Sequence, residues 1–160
     1  MGVGRSRLSA SEWLVENGWF PGRDIGEQAQ ELINFRLQDA ERQGYPLTPF
    51  GKAVEIVHSY GLLELPHPRA QGRSLVMDPK ARHEGDVEEI AELAANLGQL
   101  LFPVGYETAD LSLLLVDEGE RFFYLHHTGS YYVGAGVDDM FARFIDNVSI
   151  VDAEDFFVEQ

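Results

Sequence analysis

The stretch LLFPVGYETADLSLLLVDEGERFFYLHHTGSYYVGAGVDDMFARFI, residues 100–145, predicts the sheet of this protein. An almost wholly apolar run, residues 111–117, is joined by Asp117-Glu118-Gly119-Glu120 to a second apolar run, residues 121–126. An Asp-x-Gly connection of this length indicates a β-hairpin, in which we expect Gly119 to adopt a positive φ. A third run, residues 130–133, follows after a short loop. Because short loops join antiparallel neighbours, residues 100–135 are predicted to form an antiparallel meander.

The rest of the chain predicts helices that cover this sheet. Three capping-box patterns begin at Ser9, Asp24 and Asp86, each with a glutamate three residues later, and Thr48-Pro49 is typical of another helix start. These signals predict a helical part over residues 9–61, a helix over residues 86–97 and, from Val137, a closing helix over residues 137–147. Residues 62–78 predict one or two short edge strands, and residues 149–160 are a tail with room for a last strand or two.

Size and composition favour a single domain over residues 1–160, of class α+β, with residues 1–8 as a flexible start. A chain of this length buries roughly 70% of its unfolded surface. There is no cysteine, so disulfides, thiolate metal sites and cysteine nucleophiles are excluded. The apolar stretches fall short of the ~20 residues of a membrane span, and no signal peptide is visible, so we expect a soluble cytoplasmic protein. Met1-Gly2-Val3-Gly4-Arg5-Ser6 formally fits an N-myristoylation pattern, although so loose a match also arises by chance.

Charge is distributed unevenly along the chain. Residues 1–83 hold ten acidic and ten basic residues, whereas residues 84–160 hold seventeen acidic residues and only Arg121 and Arg143, so the net charge of −15 belongs to the second half. This half repels nucleic acid and anionic membranes, so neither is expected as a partner. Its natural partner is a cationic protein surface, unless the excess charge serves only solubility.

Four segments resemble the third branch of the SUKH superfamily, in the right order and over most of the chain, from about Trp13 to Ile145. They are residues 17–23 (NGWFPGR), residues 60–63 (YGLL), residues 101–105 (LFPVG), and residues 113–117 followed by 119–122 (GERF). The family usually has paired glycines at the second of these, where this chain has Gly61-Leu62. The resemblance implies a curved antiparallel sheet, which we expect to have about five to six strands, against about four to five helices. It also implies a bacterial immunity protein that binds and neutralises a polymorphic or contact-dependent toxin domain, often a nuclease, with no catalytic motif.

Catalytic and cofactor patterns are weak when they are sought independently of this resemblance. If the strand continues through His126-His127, the two imidazoles point to opposite faces and cannot bind one metal ion. Gly134-x-Gly136 lacks a third glycine and precedes two aspartates, which disfavours phosphate. Asp117, Glu118 and Glu120 lie in a turn, where we expect water to keep their pKa values alike. We therefore expect no enzyme activity, no cofactor and no metal.

A candidate partner-binding surface combines carboxylates with aromatic anchors. By strand alternation, one of each adjacent aromatic pair should face outward beside the acidic turn and the closing helix. The predicted contact residues are Asp117, Glu118, Glu120, Phe123, Tyr131, Tyr132, Asp138 and Asp139. The alternative is that the aromatic residues fill the core and the acids are solvated, with Asp138 and Asp139 explained by the helix dipole.

The predicted function is therefore non-enzymatic: an immunity protein, a monomer or weak homodimer, whose acidic surface occupies the active cleft of a basic toxin domain. Two alternatives remain open. One is a scaffold or regulatory protein-binding module with the same fold, and the other is a metal-assisted hydrolase built around His126 and Asp117.

Overall fold

The sheet is a single antiparallel layer whose strands pair in chain order. The computed structural model describes residues 9–158, and within this range the sheet has seven strands. They are β1 (Glu64–Pro66), β2 (Ser74–Val76), β3 (Leu101–Glu107), β4 (Ser112–Asp117), β5 (Arg121–His126), β6 (Gly129–Ala135) and β7 (Val151–Asp152). The helices are α1 (Ala10–Glu16), α2 (Glu27–Gln43), α3 (Gly51–Tyr60), α4 (Asp86–Leu97) and α5 (Val137–Ile145), and a short 3₁₀ helix, Ala153–Phe156, follows β7.

This architecture confirms the α+β class and an antiparallel sheet packed against helices, with one strand more than expected. The tail contributes that strand, as two residues of β7, before it turns into the 3₁₀ helix. The predicted flexible start, the myristoylation pattern and the last two residues of the tail lie outside the described residues.

Helices cover both faces of the sheet because its central strands are apolar on both faces. All six residues of β4 are buried. Leu114 and Val116 join one apolar cluster, with α1, α3 and α5, while Leu113 and Leu115 join a second cluster, with α4 and the 3₁₀ helix. Burying one leucine side chain contributes ~1.5–3 kcal/mol, so each of the four favours a covering layer on its own face. Helix α2 supplies residues to both clusters.

Only the first of the three capping boxes forms. The Ser9 hydroxyl accepts from Glu12 N–H at 3.1 Å, and the Glu12 carboxylate accepts from Ser9 N–H at 3.2 Å. The box predicted at Asp24 is wrong, because that carboxylate binds His58 at 2.7 Å and α2 begins after Gly26. Helix α4 likewise begins after Gly85, with Asp86 buried inside its first turn.

Helix α3 begins later than predicted, after Phe50 rather than Thr48-Pro49, and ends at a sterically demanding turn. At Gly61 an added Cβ would lie 2.3 Å from the Val57 carbonyl oxygen, so no larger residue fits. The next residue, Leu62, has a φ of +69°, a left-handed conformation that favours glycine. The backbone at residues 61 and 62 thus has the conformation that the paired glycines of the family would favour. At the second position this chain has a leucine in a strained conformation.

A buried ion pair joins α2 to α4. Arg36 Nη1 lies 3.2 Å from Asp86 Oδ2, and both side chains are fully buried. Asp86 also accepts from the His83 backbone N–H and from Gln43 Nε2. The Nε and Nη2 atoms of Arg36 have no hydrogen-bond partner among the described residues. Arg36 Nη1 also lies 4.0 Å from Asp39 Oδ2, so loss of Asp86 would leave a buried charge with this weaker contact alone.

The strain at Leu62 predicts an inverted preference between glycine and alanine. Glycine relieves the left-handed strain that alanine retains, so Leu62→Gly should be more stable than Leu62→Ala, by about 1 kcal/mol. Urea denaturation followed by circular dichroism measures the difference. At the exposed helical residue Glu41 the order should reverse, with alanine more stable than glycine. If the glycine and alanine variants rank in the same order of stability at both positions, the backbone at Leu62 is not strained.

The buried ion pair predicts that a double variant is more stable than a single one. Asp86→Asn keeps the acceptor for the His83 N–H but leaves the Arg36 charge with only its longer contact to Asp39, 4.0 Å away, at a cost of about 3 kcal/mol. Adding Arg36→Met removes that charge and should recover part of the loss. Urea midpoints of the three proteins test this, and a double variant less stable than Asp86→Asn would show that the arginine stabilises the core by itself.

Candidate functional site

An open groove of ≈ 600 Å³ lies between α3 and the start of α5, with the β4–β5 turn at its rim. We call it the acidic groove and define it by the charged and aromatic residues that line it. These are Lys52, Glu55, Tyr60, Glu120, Asp138 and Asp139. Four carboxylates therefore face a single lysine. Three of the eight predicted contact residues, Glu120, Asp138 and Asp139, meet in this groove.

Glu120 joins the turn to both helices of the groove. One carboxylate oxygen, Oε2, accepts from Val137 N–H at 2.9 Å, the first residue of α5, and the other lies 3.1 Å from Lys52 Nζ. The hydrogen bond with Glu120 raises the pKa of Lys52. Glu120 also has the positive φ of the turn, +66°, which corrects the assignment of this conformation to Gly119. The left-handed backbone directs this side chain away from the strand and toward the helices.

Asp117 is inside the protein, contrary to the expectation that water surrounds it. Its side chain is fully buried, and Oδ1 accepts from the backbone N–H groups of Gly119 and Arg121 at 2.9 and 2.8 Å. Oδ2 accepts from Arg121 Nε at 2.7 Å. All these bonds lie within the hairpin, so Asp117 holds the turn and presents no surface to a partner.

The two aspartates of α5 differ in how far they are engaged. Both lie in its first turn, as predicted. Asp139 Oδ2 accepts from Ala135 N–H and from Arg143 Nε, each at 3.0 Å. Asp138 and, across the groove, Glu55 are exposed and form no hydrogen bond or ion pair with a described residue. These two carboxylates can therefore receive a cation without breaking an internal bond.

Tyr60 is the aromatic residue of the groove. Its ring stacks on Trp19, with centroids 5.7 Å apart and an interplanar angle of 6°. Burial raises the pKa of the Tyr60 hydroxyl, and the carboxylates of Asp138 and Glu120 raise it further. The sequence interpretation missed Tyr60, Glu55 and Lys52. The available signal was the spacing of Lys52 and Glu55 on α3, because residues three apart share a helix face, whereas Tyr60 does not follow from that spacing.

The other predicted contact residues lie elsewhere, so no single aromatic patch forms. Phe123 is fully buried. Tyr131 and Tyr132 are half-buried on opposite faces of the sheet, where Tyr131 Oη lies 2.8 Å from Thr128 Oγ1 and Tyr132 stacks on Phe156. Glu118 is exposed at the tip of the turn and accepts from Leu100 N–H at 2.8 Å.

The histidine pair also departs from its predicted geometry. The rings of His126 and His127 lie 4.0 Å apart, because β5 ends at His126 and strand alternation no longer applies. His126 and Asp117 lie at opposite ends of the hairpin. Asp117 ends β4 at the turn, where β5 begins with Arg121, and His126 ends β5 five residues later. At the usual rise per strand residue, five residues span roughly 17 Å. Across residues 9–158, no group of three or more histidine, aspartate or glutamate side chains is arranged to hold a metal ion.

Comparison with known protein families assigns most of the chain. The family described as SUKH-3 immunity protein matches residues 8–147. The chain belongs to this family. The SUKH-3 region thus contains the whole acidic groove and six of the seven strands, whereas β7 and the 3₁₀ helix lie beyond it. No curated protein and no solved structure matches. None of the helices in the described SUKH-3 chain is long and apolar enough to cross a membrane.

The bonds of Glu120 predict unequal effects of two substitutions. Glu120→Ala removes the acceptor for Val137 N–H and the partner of Lys52, and should cost about 1–2 kcal/mol of unfolding free energy. Glu120→Gln keeps an acceptor and loses only the partly exposed ion pair with Lys52, so its cost should stay below ~1 kcal/mol. Thermal and urea unfolding of both variants make the comparison. An equal loss in both would mean that the ion pair, and not the bond to α5, dominates.

Proposed function

We propose that this SUKH-3 protein is a non-enzymatic bacterial immunity protein that acts in the cytoplasm and neutralises a cognate, basic toxin domain through its acidic groove. The observation that carries the proposal is the gathering of four carboxylates around one lysine, with Glu55 and Asp138 in no hydrogen bond or ion pair with a described residue. The family description supports the immunity role.

The groove suits a cationic partner on electrostatic grounds. A cluster of like charges in a cleft raises the rate of encounter with an oppositely charged surface. This steering acts over a distance of about 8 Å at physiological salt. Tyr60, whose ring stacks on Trp19, supplies an aromatic anchor of the type that dominates binding energy at interfaces. A nuclease is a fitting target, because its phosphate-binding cleft must itself be basic.

An inhibitor of this kind needs no chemistry of its own. The hydrolase alternative is disfavoured because Asp117 is committed to the hairpin turn and stands at the far end of it from His126. The scaffold alternative differs from the immunity role only in its partner, so the experiment below separates them.

The first test is co-expression of this protein with the toxin domain encoded by the neighbouring gene. Cell survival together with co-purification of a complex is the expected result. Failure of the wild-type protein to rescue or to bind would contradict the immunity role and favour the scaffold.

Substitutions then locate the surface. Glu55→Gln with Asp138→Asn removes two groove charges and keeps side-chain shape, and should weaken toxin binding by about tenfold or more, mainly through slower association. The matched control is Glu88→Gln with Glu92→Gln on α4, which covers the opposite face of the sheet. It removes one first-turn and one mid-helix charge, as the groove variant does. Equal weakening by both pairs would leave only a net-charge effect and refute the groove as the contact.

A further inference from the structure

The last strand of the sheet presents an open edge. Residues 147–152 are exposed without interruption, and they include Val148, Ile150 and Val151, whose exposed fractions are 46%, 48% and 38%. Strand β7 pairs with β6 on one side and with no described strand on the other. An edge strand offers unpaired N–H and C=O groups on which another strand can form.

The opposite edge of the sheet, at β1, is protected against an added strand, unlike the edge at β7. Strand β1 ends at Pro66, which has no N–H to donate, and the Pro66 carbonyl accepts from Trp13 Nε1 at 2.9 Å. Prolines and charged side chains, lysines above all, commonly blunt a sheet edge. Residues 147–152 contain no proline or lysine, and their one charge, on Asp152, repels an acidic strand but attracts a basic one.

The register of β7 shows what its two faces present. Asp152 pairs with Tyr131, which packs in the cluster of α5, and Val151 pairs with Tyr132, which packs in the cluster of α4. Paired residues share a face, and residues two apart do as well. Asp152 therefore lies on the α5 face of the edge and Val151 on the other face. Ile150, just before β7, lines a pocket with Met140 and Phe144 of α5, so it lies on the same face as Asp152.

The negative charge around this edge favours a positively charged partner strand. Residues 144–158 contain four acidic residues and no lysine, arginine or histidine. Two arginines line the pocket beside Ile150, and each already binds a carboxylate: Arg143 binds Asp139, and Arg73, which also donates to Asn147, binds Glu107. Pairing of two copies through β7 would bring eight carboxylates together with no basic residue from either segment, in chains that each have a net charge of −15. A second copy is thus a poor occupant, and a cationic strand is a good one.

We propose that β7 is a docking edge for an extended segment of a partner protein, which adds an eighth strand and carries an apolar and a basic residue two positions apart on one face. The apolar residue packs beside Ile150, and the basic residue meets Asp152. This edge lies beyond the SUKH-3 match and outside the acidic groove, so the inference does not rest on the proposed function.

A synthetic peptide tests the edge directly. Its lysine and valine residues alternate on one face, and threonine fills the other. Fluorescence anisotropy at physiological salt should show binding to the wild-type protein, and hydrogen exchange should slow at residues 149–152. Ile150→Lys places a like charge opposite the peptide and removes the apolar contact, so it should weaken binding at least about fivefold. Val15→Lys, at an exposed valine of α1, adds the same charge elsewhere and should bind as the wild type does.

Three results would overturn the proposal. One is equal binding of the Ile150→Lys and Val15→Lys proteins, once circular dichroism shows that both are folded. Another is equal binding of a peptide with the same charge but with N-methylated backbone amides, because added strands bind through their main-chain groups. The third is a wild-type dimer in sedimentation that Ile150→Lys abolishes, which would assign the edge to a second copy. Peptide binding should persist in the Glu55→Gln, Asp138→Asn protein. A failed test of the β7 edge can therefore be told apart from a failed test of the acidic groove.

Discussion

The burial of both faces of the central hairpin constrains the rest of this structure. Every residue of β4 is buried, and so are the four central residues of β5, so neither face of these strands can lie open to water. Helices must cover both sides, and α2 contributes to each cluster. Because helices cover both broad faces of the sheet, neither face is available to bind a partner. The two contact surfaces proposed above lie instead at the rim of the hairpin and at the edge of the last strand.

In the hairpin turn, backbone geometry gives two acidic residues different environments and different roles. Asp117 and Glu120 are three positions apart and both acidic, yet the first is fully buried and the second reaches two helices. Asp117 satisfies the backbone N–H groups of its own turn. Glu120 has a positive φ, so its side chain leaves the turn and accepts from the first N–H of α5. The same turn therefore holds the hairpin and positions one wall of the acidic groove.

The two proposed contact surfaces differ in origin as well as in position. The acidic groove lies within the residues that match the SUKH-3 family, and its walls are built from helices and the central hairpin. The β7 edge follows after the match, on a segment that adds the seventh strand. The residues that match the family thus contain one proposed surface, and residues after the match contain the other.

Sequence patterns alone determined the elements of this fold, because alternation, apolar periodicity and turn residues act over a few neighbouring positions. The meander, α1 with its capping box and the acidic first turn of α5 follow from such local signals. Asp24 and Asp86 match the same capping pattern as Ser9, but tertiary partners, His58 and Arg36, take their carboxylates instead. Tertiary structure alone also decided that Asp117 and Phe123 are interior and that Glu55 and Tyr60 stand beside Glu120 and Asp138. The physical reason is that burial and charge proximity depend on contacts between residues distant in the chain, which no local pattern encodes.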